Sequence, residues 1–136
     1  MLIYVASPYT DQDPNIRDAR YRAVCKQVAE MLRCGIQTFS PICHSHPLVE
    51  YGVPGDWAFW RDYDLKFLAM CDEVWVLMLD GWRESKGVQA EIAKALELGK
   101  RVVYVEADDV IRGAINDQTP AVAGAVNSGG ACDVTG

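Results

Sequence analysis

Short apolar runs in this chain alternate with longer segments of helical period, and that alternation limits the folds open to it. The runs are LIYVA (2–6), IQTFSPI (36–42), EVWVLML (73–79) and RVVYVE (101–106). Each has the length of a strand buried on both faces. After the first run, Asp13 is placed to cap a helix with Pro14 at its first position, and Gly35 ends it. Val24, Val28, Met31 and Leu32 supply its apolar face. A loop over 43–55 leads to a second helix from Asp56 to about Cys71. A polar turn over 80–85 leads to a third, which Ser85 can cap and Gly99 ends. Strands separated by helices need right-handed crossovers, which produce a parallel sheet covered on both faces. The expected fold is α/β: one doubly wound, flavodoxin-like or Rossmann-like domain of four to five strands over residues 1–117. A short helix over 108–115 falls within it. The stretch 118–136, rich in Ala, Gly, Val, Asn and Ser, is expected to be a tail with a weak strand at 121–126, or an arm bound to a subunit partner.

A chain of 136 residues supports one core of useful size. Its net charge of −6 argues against a broad nucleic-acid or anionic-membrane surface, which would select basic patches. A small anionic ligand needs only local donors and stays open. The five cysteines include no CxxC pair, and the first strand starts too early to leave room for a signal peptide. No apolar run approaches a membrane span. A cytoplasmic protein with free thiols is expected.

Ligands of such sheets bind beyond the carboxyl ends of the strands. That edge collects SPYTDQD, SPICHSHPL, DGWRESKG and EADD, and with them Ser7, Tyr9, His44, His46, Trp82, Arg83 and Ser85. These side chains can line a pocket for a flat polar molecule, or be ordinary loop polarity with Trp82 as packing. Trp57, Trp60 and Trp75 follow helix or strand periodicity and are expected in the core, which leaves Trp82 as the stacking candidate. The cluster Cys43, His44 and His46 offers too few ligands for a structural zinc site, so no metal is expected. The two histidines suit contacts to a base or sugar hydroxyl, or to the loop backbone.

Two carboxylates interrupt apolar stripes. Val88, Ile92, Ala95 and Leu96 mark one stripe, and Glu91 lies roughly 80° from its centre at ~100° per residue, while Glu97 lies on the far side. Trp60, Asp64, Phe67 and Cys71 mark the other, which contains Asp64 and excludes Asp62. Either alone is most simply a boundary residue with its head in water. Together at one sheet edge they supply what retaining glycosyl chemistry needs, a nucleophile and a nearby acid. The helix start near Glu91 favours its ionised form.

YVASPYT, HSHPL, WRDYDLKFLAMCDEVWVL, GWRESKGVQAEIAKALELGK and VVYV, in this order over about residues 2–106, resemble the nucleoside 2-deoxyribosyltransferase-like superfamily. The nearest resemblance is to its branch of unassigned function, DUF1937. Ser85-x-Gly87-Val88-x-x-Glu91 is also similar to the 2'-deoxynucleoside 5'-monophosphate N-glycosidases. The resemblance implies that Glu91 attacks C1' of a sugar. It implies that Asp64 handles the departing base or orients the sugar, and that Tyr9 contacts the sugar and holds the glutamate. Ser85 and Gly87 match a 5'-phosphate site, in keeping with an anion-binding helix start, although Ser85 also reads as a plain N-cap and Gly87 as a packing residue. SPYT stands where the monophosphate branch has a glycine-rich loop, and Asp108 and Asp109 stand where it offers a phosphate-binding serine, which puts monophosphate specificity in doubt. The expected activity is N-glycosidic cleavage or base exchange on a nucleoside or nucleotide, without cofactor, in a homodimer or higher homo-oligomer. The alternative is a nucleotide-binding or sensing module without turnover.

Overall fold

The computed structural model describes residues 1–107. Over these the element order is β1 (Ile3–Ala6), α1 (Pro14–Arg33), β2 (Thr38–Phe39), α2 (Pro41–Val49), α3 (Trp57–Met70), β3 (Glu73–Leu77), α4 (Lys86–Glu97) and β4 (Arg101–Val105). The expected helix at 108–115, strand at 121–126 and tail lie outside the described residues.

All strand pairs are parallel, in the order β2-β1-β3-β4. Ile3 stands opposite Thr38 on one side of β1 and opposite Glu73 on the other. The chain therefore turns from one direction of sheet growth to the other between β1 and β3, and a crevice opens there at the strands' carboxyl ends. The fold is the expected doubly wound α/β sheet.

Alternation along β1 divides the core. Ile3 and Val5 pack with Val24, Val28 and Met31 of α1 and Ile42 of α2. Tyr4 and Ala6 point to the other face, toward Leu68 of α3 and Val88 and Ala95 of α4. Every β1 residue is buried, so an apolar run without polar alternation is the pattern this strand requires. No described helix is long and apolar enough to cross a membrane.

Local signals account for most boundaries. Asp13 caps α1 by accepting from the Asn15 N–H at 2.8 Å, with Pro14 at the first position. Gly35, at φ 83°, reverses the chain after it. Ser85 caps α4 by accepting from the Val88 N–H at 3.1 Å.

One region differs from the sequence reading. The strand expected over 36–42 is two residues long, and the expected loop over 43–55 begins with helix α2. Ser40 accepts from the Cys43 N–H at 3.2 Å and Pro41 occupies the first helical position. Ser-Pro is an N-terminal helix signal, obscured here by the β-branched residues before it and by Pro47 inside the last turn.

Candidate active site

A cleft of about 690 Å³ lies at the β1–β3 crevice, between α2, the first two turns of α3 and the start of α4. Six of the residues singled out in the sequence line it: Ser7, Tyr9, Asp64, Ser85, Gly87 and Glu91. The loop that leaves β1 delivers Ser7 and Tyr9. The second turn of α3 delivers Asp64, and α4 delivers Gly87 and Glu91 from its first two turns.

Glu91 is almost wholly buried, at 3% exposure. Its Oε2 accepts from the Tyr4 hydroxyl at 2.5 Å, a bond that crosses from α4 to the middle of β1. The resemblance assigned the holding of this glutamate to Tyr9, but Tyr9 turns elsewhere and Tyr4 makes the contact. In the sequence Tyr4 reads as one more residue of an apolar strand; the visible clue is a tyrosine within LIYVA, whose hydroxyl needs a partner when buried.

Burial also overrides the helix start. The Glu91 carboxyl is pushed up to about 8, first by loss of water and further by the nearby Asp64 charge, while the Tyr4 hydrogen bond pulls it down. The expectation of an ionised group set by the helix end is corrected accordingly: a dipole effect of about 1 kcal/mol is small beside the removal of solvent. Tyr4 itself is raised well above the ordinary phenol value by burial and then by Glu91, so it serves as a donor.

Asp64 is 5% exposed and is pushed up to about 7 by burial. Its Oδ1 and the Ser7 Oγ are buried without a hydrogen-bond partner among the described residues. Orphaned polar atoms of this kind await a ligand group or water. Neither Asp64 nor Glu91 is in an ion pair among the described residues. Both carboxyls have raised pKa values, both raise that of Tyr4, and the Asp64 charge adds to the rise at Glu91.

Four singled-out residues stand off the cleft. The His46 Nδ1 pairs with the Tyr9 hydroxyl at 2.6 Å, and its Nε2 faces Asp18 Oδ1 at 3.5 Å, so it backs Tyr9. His44 is exposed and stacks on Tyr63, bonding its hydroxyl at 3.0 Å. Trp82 packs against Tyr104, with Arg83 over its ring.

The tryptophans on the cleft are Trp57 and Trp60, both expected in the core. Trp60 is buried and donates to the Pro54 carbonyl at 2.7 Å, fixing the loop before α3. Trp57 is half-buried against α4. A Cβ at Gly87 would stand 3.2 Å from the Trp57 ring, so this glycine sets how closely α3 and α4 approach. Ser85 has its hydroxyl oxygen engaged as the cap of α4, which leaves its proton for another acceptor. Among the described residues, no group of three or more His, Cys, Asp or Glu side chains is placed to hold a metal.

Among solved structures, a 2-deoxyribosyltransferase from the psychrotolerant bacterium Bacillus psychrosaccharolyticus has the same fold, with a TM-score of 0.57 at 24% identity. The likeness covers 78% of this chain and 72% of that one. No curated protein matches the chain. Residues 1–107, the whole of the described sheet and its helices, match the model of the domain of unknown function DUF1937, and the chain belongs to that family.

Proposed function

We propose that the protein cleaves or exchanges the N-glycosidic bond of a nucleoside or nucleotide, with Glu91 as nucleophile and Asp64 as acid. One observation carries the reading. Two buried carboxyls from different helices face one cleft without ion-pair partners, and a buried tyrosine hydroxyl donates to one of them. Structural ion pairs would neutralise such groups; leaving them unpaired is costly and suits chemistry. The 2-deoxyribosyltransferase fold supports the same reading.

In the pair's singly protonated state, one group is an acid and the other a carboxylate, the complement that retaining glycosyl transfer uses. Glu91, at about 8 against about 7 for Asp64, holds the resting proton, and Tyr4 donation lowers the cost of moving the charge onto the Glu91 carboxylate. That carboxylate attacks C1' as the base departs with a proton from Asp64. The glycosyl ester is then opened by water, giving hydrolysis, or by a second base, giving exchange. Proton return to Asp64 resets the pair. Trp57 offers the base an aromatic wall, and the start of α4 with Ser85, Lys86 and Gly87 faces the far end of the substrate.

A second reading, a nucleotide-binding module, draws on the acidity of Glu91: at about 8 it is mostly neutral at pH 7 and a weak nucleophile. A screen of ribo- and deoxyribonucleosides and their 5'-monophosphates for released base, read by chromatography, separates the two. Base release that Glu91→Ala abolishes supports the enzyme; ligand binding with no release from any compound refutes it.

We further propose a homo-oligomer. Phe59, Tyr63 and Met70 of α3 leave 51%, 38% and 65% of their surface exposed, and a second copy can cover them. Light scattering at a mass above the 15.1 kDa monomer is expected, and a monomer at micromolar concentration refutes it.

A further inference from the structure

We propose that Cys25 and Cys43 form a redox modification site, at which a peroxide converts the two thiols into an intramolecular disulfide that fastens α2 to α1 beside the cleft. The site does not depend on the chemistry proposed above. Cys25 lies in the middle of α1 and Cys43 in the first turn of α2, with their sulfurs 3.1 Å apart. A disulfide needs about 2.05 Å, so closure takes roughly 1 Å of relative movement. Both thiols are free and half-buried, within reach of a small oxidant. The Cys43 N–H bond to Ser40 holds the start of α2 while the side chains close.

Burial, opposed by the Ser40 hydrogen bond and aided by the contact with Cys25, pushes the Cys43 thiol up to about 12. Cys43 is thus poorly suited to attack the oxidant first. The Cys25 thiolate attacks one peroxide oxygen. The O–O bond breaks, water departs, and a sulfenic acid remains on Cys25. The Cys43 sulfur then attacks the Cys25 sulfur and gives up its proton, and the hydroxyl leaves as a second water. In sum, two thiols and one hydrogen peroxide give one disulfide and two waters: the sulfurs are oxidised and the peroxide is reduced.

The place of the bond gives it a consequence. Ile42 and Ser45, on either side of Cys43 in α2, line the cleft. His46, the next residue, holds the Tyr9 hydroxyl at 2.6 Å. A covalent tie from Cys43 to α1 therefore stiffens one whole wall of the cleft. Closing a loop between residues eighteen positions apart also removes conformational freedom from the unfolded chain.

The full chain, reduced and freed of reductant, is treated with equimolar hydrogen peroxide. Intact mass, non-reducing peptide maps and melting are then recorded. The expected results, beside the disulfide that Cys34 carries, are a loss of two hydrogens that requires Cys25 and Cys43 and a Cys25–Cys43 cross-linked peptide. A melting temperature higher by on the order of 5–10 °C should accompany them and return to the start with dithiothreitol. Cys25→Ser and Cys43→Ser should each abolish the cross-link and the melting shift, and Cys71→Ser, deep in the other half of the core, should leave both. The reduced serine variants are checked by far-UV circular dichroism, and Cys25→Ala and Cys43→Ala replace any that fails to fold. A cross-link from Cys25 or Cys43 to another cysteine, over-oxidation of a single thiol, or a Cys25–Cys43 bond with no rise in melting temperature would overturn the proposal.

Discussion

Replacing Glu91 by glutamine should make the fold more tolerant of alkali. The carboxyl is carried from its ordinary 4.5 to about 8, chiefly by loss of water. Between those values the native state keeps a proton that the unfolded chain has released, so stability falls as pH rises. The contribution is complete below about pH 4.5 and lost once pH passes about 8. At about 1.36 kcal/mol per tenfold change in acidity, the loss is at most roughly 5 kcal/mol. Water penetration makes half of that, about 2–3 kcal/mol, the realistic expectation. The amide oxygen of the substituted side chain still accepts from Tyr4 and carries no charge, so the variant avoids the loss. The assay is thermal melting of both proteins from pH 5 to pH 9. They should melt together at pH 5. At pH 9 the variant should melt roughly 10 °C higher, at ~3–5 °C per kcal/mol for a chain of this size. A difference that is constant with pH, or that shrinks as pH rises, would show that Glu91 is not held protonated by burial.

Three further outcomes follow from the same geometry. Asp64→Asn should lower base release about a hundredfold or more, while Asp62→Asn, on a side chain 89% exposed, should change it less than twofold; equal effects would remove the helical-phase argument. Tyr4→Phe should lower turnover tenfold or more and move the acid limb of the rate profile to higher pH, because the lost hydrogen bond favours the ionised Glu91; an unmoved limb counts against Tyr4 as its partner. Gly87→Ala should push Trp57 by a few tenths of an ångström, cost about 1 kcal/mol or more in urea melts and raise KM more than it lowers kcat, and wild-type behaviour would show that the α3–α4 approach has slack.

The strand–helix alternation, the caps at Asp13 and Ser85 and the phase of Asp64 and Glu91 on their helices were all legible from residue order, because each depends on neighbours within about four positions. Those signals suffice for a parallel doubly wound sheet and for two carboxylates directed at its ligand edge. The α2 helix was masked at the same local level, where Ile36, Thr38 and Phe39 favour strand while Ser40-Pro41 starts a helix. Partnership across the sheet was not legible. Tyr4 and Glu91 are 87 positions apart and meet only because β1 runs beneath α4. Tyr9 and His46 meet because α2 exists, which diverts Tyr9 from the glutamate. Trp57 rather than Trp82 lines the cleft, because Trp57 sits where α3 approaches α4 at Gly87 while Trp82 packs against Tyr104. Acidity was the least legible property. From sequence, the helix start argued for an ionised Glu91, but desolvation depends on every atom packed around the carboxyl, and only the assembled core determines it.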